Sequence, residues 1–133
     1  MNWFLAKTDP ETYSLDDLER DQRTVWDGVK NPQAVRAIRD MRPGDGVFVY
    51  HSGGQSAVVG IAHVVSEPRD DPKDNKSAVV DLAFVRRLEA PVTLADIRAS
   101  NLFADWALVR QPRLSTMRAP ENFVQWMRKL GHE

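Results

Sequence analysis

The chain has 133 residues, 42% hydrophobic and 28% charged, with a net charge of −1 at neutral pH, so residues 1–133 read as a single globular domain. It has no cysteine, which excludes thiolate chemistry and disulfide staples and fits a reducing compartment. No stretch approaches the roughly 18 apolar residues of a membrane span, and the first residues lack a leader's basic and apolar regions, so the expectation is a cytoplasmic protein with no membrane partner.

In chain order, residues 2–7 are apolar and aromatic-rich and read as a first strand. Ser14 caps a short helix through Arg20, with Asp16 and Asp17 in its first turn. Asn31 followed by Pro32 is a helix start, a side-chain cap and then proline at the first helical position. Ala34, Val35, Ile38 and Met41 form that helix's apolar stripe. Arg42-Pro43-Gly44-Asp45 reads as a turn. Residues 47–52 form a strand, and Gly53-Gly54 a loop. Residues 57–66 form a long strand apolar on both faces, with Gly60 marking a bulge or a close backbone approach. Residues 67–76 read as a polar loop and 77–88 as another long strand. Thr93 with Asp96 resembles a capping box for a short helix over 94–99. Residues 114–117 suggest a last short strand. Pro120 opens a final helix with Phe123, Met127 and Leu130 at helical spacing, ended by Gly131. Long strands and short helices favour an α+β architecture, a small mixed β-barrel with short peripheral helices, over a doubly wound sheet.

The chemistry that enzymes need is thin here. The sequence has no phosphate loop, dinucleotide fingerprint or nucleophile elbow. His51 and Ser52 are neighbours on one strand and should face opposite ways, a poor dyad. His51, His63 and His132 lack metal-ligand spacing. Asp70, Asp71 and Asp74 lack the glycine and closing glutamate of a calcium loop. No metal or cofactor is expected, and the chain reads as a binding module, not an enzyme.

Three segments carry binding chemistry. Val25-Trp26-Asp27-Gly28-Val29-Lys30-Asn31 places Trp26 in a turn before a helix start. Trp26 is read two ways, as a core residue or as a flat π-surface that stacks on a base. Gly28 lets a ligand approach the backbone, and Asn31 caps the helix while standing near a polar ligand. Tyr50-His51-Ser52-Gly53-Gly54 is either a solvated strand end or a hydrogen-bonding rim. Arg113-Leu114-Ser115-Thr116 is either a surface charge entering a strand or a guanidinium set on a phosphate or base edge. The mild acidity, with a pI near 6.3, counts against a generic nucleic-acid binder. The basic residues are mostly arginines, however, so any nucleic-acid role rests on a local patch and a pocket.

Taken together these segments resemble the EVE domain, a PUA-like family related to the YTH readers of RNA. The resemblance runs through Trp3-Phe4-Leu5-Ala6-Lys7-Thr8-Asp9-Pro10, Tyr13-Ser14, Trp26-Asp27-Gly28-Val29-Lys30-Asn31 and Gln33-Ala34. It continues through Pro43-Gly44-Asp45, Tyr50-His51-Ser52, Val59-Gly60-Ile61-Ala62, Val92-Thr93-Leu94 and Arg113-Leu114-Ser115. It departs at Thr8-Asp9, where the family often has Ser-Glu, at Pro32, at Val35 in place of an arginine, and at Thr116 in place of valine.

The resemblance implies a mixed barrel and a pocket for a modified nucleobase, notably methylated or hydroxymethylated cytosine in DNA. By motif position it implies Trp26, Gly28, Val29 and Asn31 lining that pocket and Tyr50, His51 and Ser52 opposite. Lys7, Arg113, Leu114 and Ser115 would stand near the entrance. The expected partner is nucleic acid, DNA or alternatively RNA, met by a monomer. A sensor of free nucleotides or other small flat molecules is the further alternative, because an aromatic wall stacks any ring.

Overall fold

The structure is a computed structural model of the chain and describes residues 1–131; His132 lies outside them. Strand β1 (Trp3–Thr8) is followed by helix α1 (Leu15–Asp21), strand β2 (Arg23–Trp26) and helix α2 (Pro32–Asp40). Next come β3 (Gly46–His51), β4 (Ala57–Val64), β5 (Arg69–Asp71) and β6 (Asp74–Thr93). Helices α3 (Leu94–Ala99) and α4 (Ala107–Arg110), strand β7 (Thr116–Arg118) and helix α5 (Glu121–Lys129) complete it. The strands form one mixed sheet in the order β2-β6-β4-β3-β1-β7, with β5 paired to β6. Only β1 and β3 run parallel among these pairs, and the crossover between them carries α1, β2 and α2.

The sheet curls because β6 is long and irregular. Between Val58 and Gly60 of β4 the partner residue on β6 moves from Val92 to Arg87, and between Ile61 and Ala62 it moves from Arg86 to Phe84. The extra residues all lie on β6, and such bulges bend and twist a strand. The result is a curled half-barrel with short helices around it, the expected α+β class.

Local signals in the sequence place several elements. Ser14 and Asp17 form a reciprocal capping box at α1, and Thr93 and Asp96 form another at α3. Asn31 accepts from the N–H groups of Gln33 and Ala34 at α2. Gly44 takes a φ of +94° in the turn before β3. Gly60 is a close approach: a Cβ there would lie 2.7 Å from both Leu15 methyl carbons and 3.0 Å from the Arg86 carbonyl oxygen. Leu15 therefore packs directly on the backbone of β4.

Other expectations are corrected. Trp26 ends a strand rather than sitting in a turn, because β2 pairs with β6 from Arg23–Ala83 to Trp26–Val80. The polar loop at 67–76 contains β5 and the start of β6, joined by a tight turn in which Asp71 accepts from the Lys73 N–H. Strand β6 runs on to Thr93, well past residue 88. The last strand is shifted to Thr116–Arg118, and α4 was not foreseen. Leu130 is 48% exposed; Phe123, Val124 and Met127 form the buried face of α5.

The core is strongly aromatic at the α5 end. Phe123 meets Phe48 and Phe103 edge-on, at 5.2 and 5.3 Å between ring centroids, and Trp106 at 4.5 Å. Trp3 stacks on Phe48, and Trp126 packs beside Phe103. Three of the tryptophans thus belong to this cluster. Trp26 stands apart from it.

Candidate nucleobase pocket

Trp26 ends β2 at the edge of the sheet, and the chain turns sharply after it. Gly28 adopts a φ of +77°, a left-handed conformation that favours glycine. The turn is anchored from both sides. The buried Ser77 hydroxyl donates to the Val29 carbonyl at 2.5 Å, and Asn31 caps α2 immediately afterwards. The Trp26–Asn31 segment is therefore held in place before any ligand arrives, which reduces the ordering cost of binding.

Facing this turn is Tyr13, whose ring stands edge-on to Trp26 at 6.5 Å and 86°. Its position follows from local bonds. The Thr8 hydroxyl donates to the Tyr13 carbonyl at 2.7 Å, and the Tyr13 hydroxyl donates to Asp21 at 2.9 Å. Burial pushes the phenol above its usual pKa, and the bond to Asp21 acts in the same direction. The next residue, Ser14, caps α1.

Between these walls lies a cavity of about 410 Å³, within the usual range for small-molecule sites. Trp26, Tyr13, Val25 and Val29 supply its apolar surface; Thr8, Thr12, Thr24 and Ser115 bring hydroxyls; Lys7 and Asp27 bring opposite charges. Trp26 is only 7% exposed, so its ring is both packed against the interior and part of the wall. A flat ring can enter against these aromatics and find donors and acceptors around its edge.

Lys7 is fixed by three contacts. Its Nζ donates to the Pro112 carbonyl at 2.9 Å and lies 5.5 Å from the centre of the Tyr50 ring, and its backbone N–H donates to the Ser115 carbonyl. Burial lowers its pKa from the usual lysine value.

Of the residues singled out in the sequence, Lys7, Trp26, Gly28, Val29 and Ser115 line this one cavity. The others stand outside it. Asn31 has its side-chain oxygen committed to the α2 cap. Tyr50 is buried beneath Lys7. His51 turns its Nε2 toward α1 and accepts the Leu15 N–H at 3.1 Å. Burial, with the nearby Arg87, depresses its pKa, consistent with a neutral acceptor. Ser52 is exposed and donates its N–H to the Thr8 carbonyl. Arg113 is exposed, and Leu114 is buried on another side of the chain.

Tyr13, Thr8, Thr12, Thr24, Val25 and Asp27 join the lining without having been singled out for it. An aromatic residue just before a capped helix, as Tyr13-Ser14 is, was the available signal. A larger cleft of about 540 Å³ lies beside Leu102, Trp106 and Asn122, but it holds no cation to complement a polar ligand.

The EVE domain family model matches residues 2–130. Rat thymocyte nuclear protein 1 is 33% identical over an alignment of 125 residues, which covers 73% of this chain and 55% of the relative. The chain thus spans about half the length of that relative. The structure of Rpa0253 from Rhodopseudomonas palustris superposes with a TM-score of 0.91 at 33% identity, covering 98% of this chain and 93% of that one. Human THYN1, in complex with DNA containing 5-methylcytosine, superposes with a TM-score of 0.89 at 23% identity, covering 100% and 99% of the two chains. It shares the curled PUA-like sheet.

The rat, mouse and human relatives are all named as nuclear proteins, which contradicts the cytoplasmic assignment. Absent cysteines, an absent leader pattern and an absent membrane span are shared by nuclear and cytosolic proteins, so they do not separate the two compartments. From residue 2 to residue 130 this chain belongs to the EVE domain family.

Proposed function

We propose that the chain is a non-catalytic reader that holds a methylated cytosine-type base of a DNA strand between Trp26 and Tyr13. The observation that carries this reading is the pocket itself: two aromatic rings at 86° to one another over a cavity edged by hydroxyls, a lysine and a carboxylate. The human relative bound to 5-methylcytosine DNA supplies the class of base. Trp26 would carry the stacking, with Val29 and Gly28 closing the wall. Asp27 would accept from an exocyclic amine, as carboxylates do from cytosine N4, while Lys7 and Ser115 donate to ring acceptors.

The residues outside the cavity support it in this reading. His51 fixes the first turn of α1 and hence Tyr13, Asn31 fixes the end of the Trp26 turn, and Ser52 holds Thr8. Tyr50 sets Lys7, whereas Leu114 is buried on another side of the chain. Arg113 remains exposed for a strand phosphate. One copy of the chain contributes every wall, so a monomer suffices.

A base inside a duplex must first be extracted, at a cost of a few kcal/mol. Single strands carrying one 5-methylcytosine should therefore bind more tightly than the matching duplex. A methyl group buried in the pocket adds about 0.8 kcal/mol, roughly fourfold over cytosine. The test is a titration of methylated and unmethylated single strands and duplexes, DNA and RNA, followed by mass spectrometry of the recovered ligand. Equal affinity for methylated and plain strands, or time-dependent conversion of the base, would overturn the proposal; tighter RNA binding would replace DNA as the partner.

A further inference from the structure

Residues 115 and 116 serve different sides of the chain. Ser115 lines the nucleobase pocket, whereas Thr116 is among the residues lining a separate cleft of about 340 Å³ between α2 and β7. Thr116 is fully buried, and its hydroxyl is the buried side-chain polar atom left without a hydrogen-bond partner among the described residues. Its backbone is held in the ladder opposite Ala6. Buried polar groups are nearly always satisfied, so an orphan hydroxyl on a residue that lines a cleft marks a place where a partner from outside would satisfy it.

The charges around the cleft indicate what that partner is. Arg36, Gln33, Asp40 and Arg118 line it with Thr116. Arg36 is exposed and makes no ion pair or hydrogen bond among the described residues. The Arg118 guanidinium lies over the Phe4 ring, 5.2 Å from its centre, which leaves its N–H edges open. Its contact with Asp40 is long, at 3.8 Å. Two guanidinium groups thus face one carboxylate, and the cleft keeps a net positive charge. Guanidinium forks, an amide and a hydroxyl together offer more donors than a planar carboxylate can accept. They suit a tetrahedral oxyanion.

We propose that this cleft is a second binding site, for a phosphate group. It lies apart from the nucleobase pocket and goes beyond the reading of that pocket. The source of the phosphate is either the free ion or the terminal phosphate of a nucleic-acid strand.

The test is a titration followed by two-dimensional NMR of backbone and arginine Nε resonances, at constant ionic strength made up with chloride. Inorganic phosphate should give saturable shifts at Thr116, Arg36 and Arg118. Thr116→Val keeps the shape of the side chain and should fold at least as well as the wild type. It should weaken phosphate binding about fivefold or more, and Arg36→Gln about tenfold or more, since hydrogen bonds to charged groups are the stronger ones. A 5′-phosphorylated dinucleotide binding more tightly than inorganic phosphate assigns the strand terminus. The reverse assigns the free ion, and either result supports the site. Trp26→Leu should leave phosphate binding unchanged, which separates this proposal from the fate of the base pocket. Shifts that fail to saturate, acetate binding as tightly as phosphate, or a Thr116→Val variant that binds phosphate like the wild type would overturn it.

Discussion

Trp26 is the residue on which stacking and packing must be told apart. Its ring is 7% exposed, so truncation to alanine would remove a core side chain as well as a pocket wall. Phe or Trp to Ala in a core costs about 3–5 kcal/mol, a large share of the roughly 5–15 kcal/mol that holds a domain folded. Trp26→Leu retains an apolar side chain and removes the π-face. Base stacking is worth about 1–3 kcal/mol, so Trp26→Leu should bind a 5-methylcytosine single strand about 5- to 150-fold more weakly. Trp26→Phe keeps an aromatic face and should stay within about fivefold of the wild type. The assay is fluorescence anisotropy with a labelled strand, corrected for the folded fraction from urea denaturation. If Leu and Phe weaken binding equally, the contribution of Trp26 is bulk and not stacking. If Leu binds like the wild type per folded molecule, Trp26 is a core residue only.

Other substitutions test how the pocket is held. Gly60→Ala places a Cβ against both Leu15 methyls, and such overpacking costs about 1–3 kcal/mol; an unchanged urea midpoint would show that β4 and α1 separate freely. Asn31→Ala removes the α2 cap and should cost about 1 kcal/mol of stability, with faster amide exchange at Gln33 and Ala34; unaltered exchange would mean that the cap is idle. His51 has a folded pKa below its unfolded value of about 6.5. Its contribution to stability is complete above pH 6.5 and is lost as the pH falls from there through the folded pKa, where the proton displaces the Leu15 N–H. His51→Gln should flatten that part of the melting-temperature profile between pH 7.5 and 5.5, and parallel profiles would contradict the assignment. Arg113→Ala should leave stability unchanged and reduce the salt dependence of strand binding by about one unit or less; an unchanged slope would place Arg113 off the strand.

The sequence revealed the parts of this fold that have local causes. The caps at Ser14, Asn31 and Thr93, the turn at Gly44 and the close approach at Gly60 each depend on a residue and its near neighbours. Pairing across the sheet has no such local mark. Strand β2 is short and partly exposed, so only its ladder with β6 shows that Trp26 ends a strand. The hairpin of β5 and β6 is polar enough to pass for a loop, because the ladder and not burial defines it. The candidate site divides the same way. Trp26, Gly28 and Val29 are contiguous, and their contribution to one wall was legible. Tyr13 and Thr24 reach the cavity only through the placement of α1 and β2. His51 shows the reverse: its position at a strand end suggested a rim, yet its ring turns to the α1 backbone, a long-range contact without a sequence signature.

The account depends on a base entering the cavity between Trp26 and Tyr13. The most direct measurement is a titration of the labelled protein with a short single strand carrying one 5-methylcytosine, read by two-dimensional NMR. The account predicts saturable shifts at the Trp26 indole N–H, Thr24, Gly28 and Ser115, while the indoles of Trp3 and Trp126 stay in place. Shifts confined to the cleft beside Leu102 and Trp106, or to the β5–β6 hairpin, with the Trp26 indole unmoved at saturation, would contradict it.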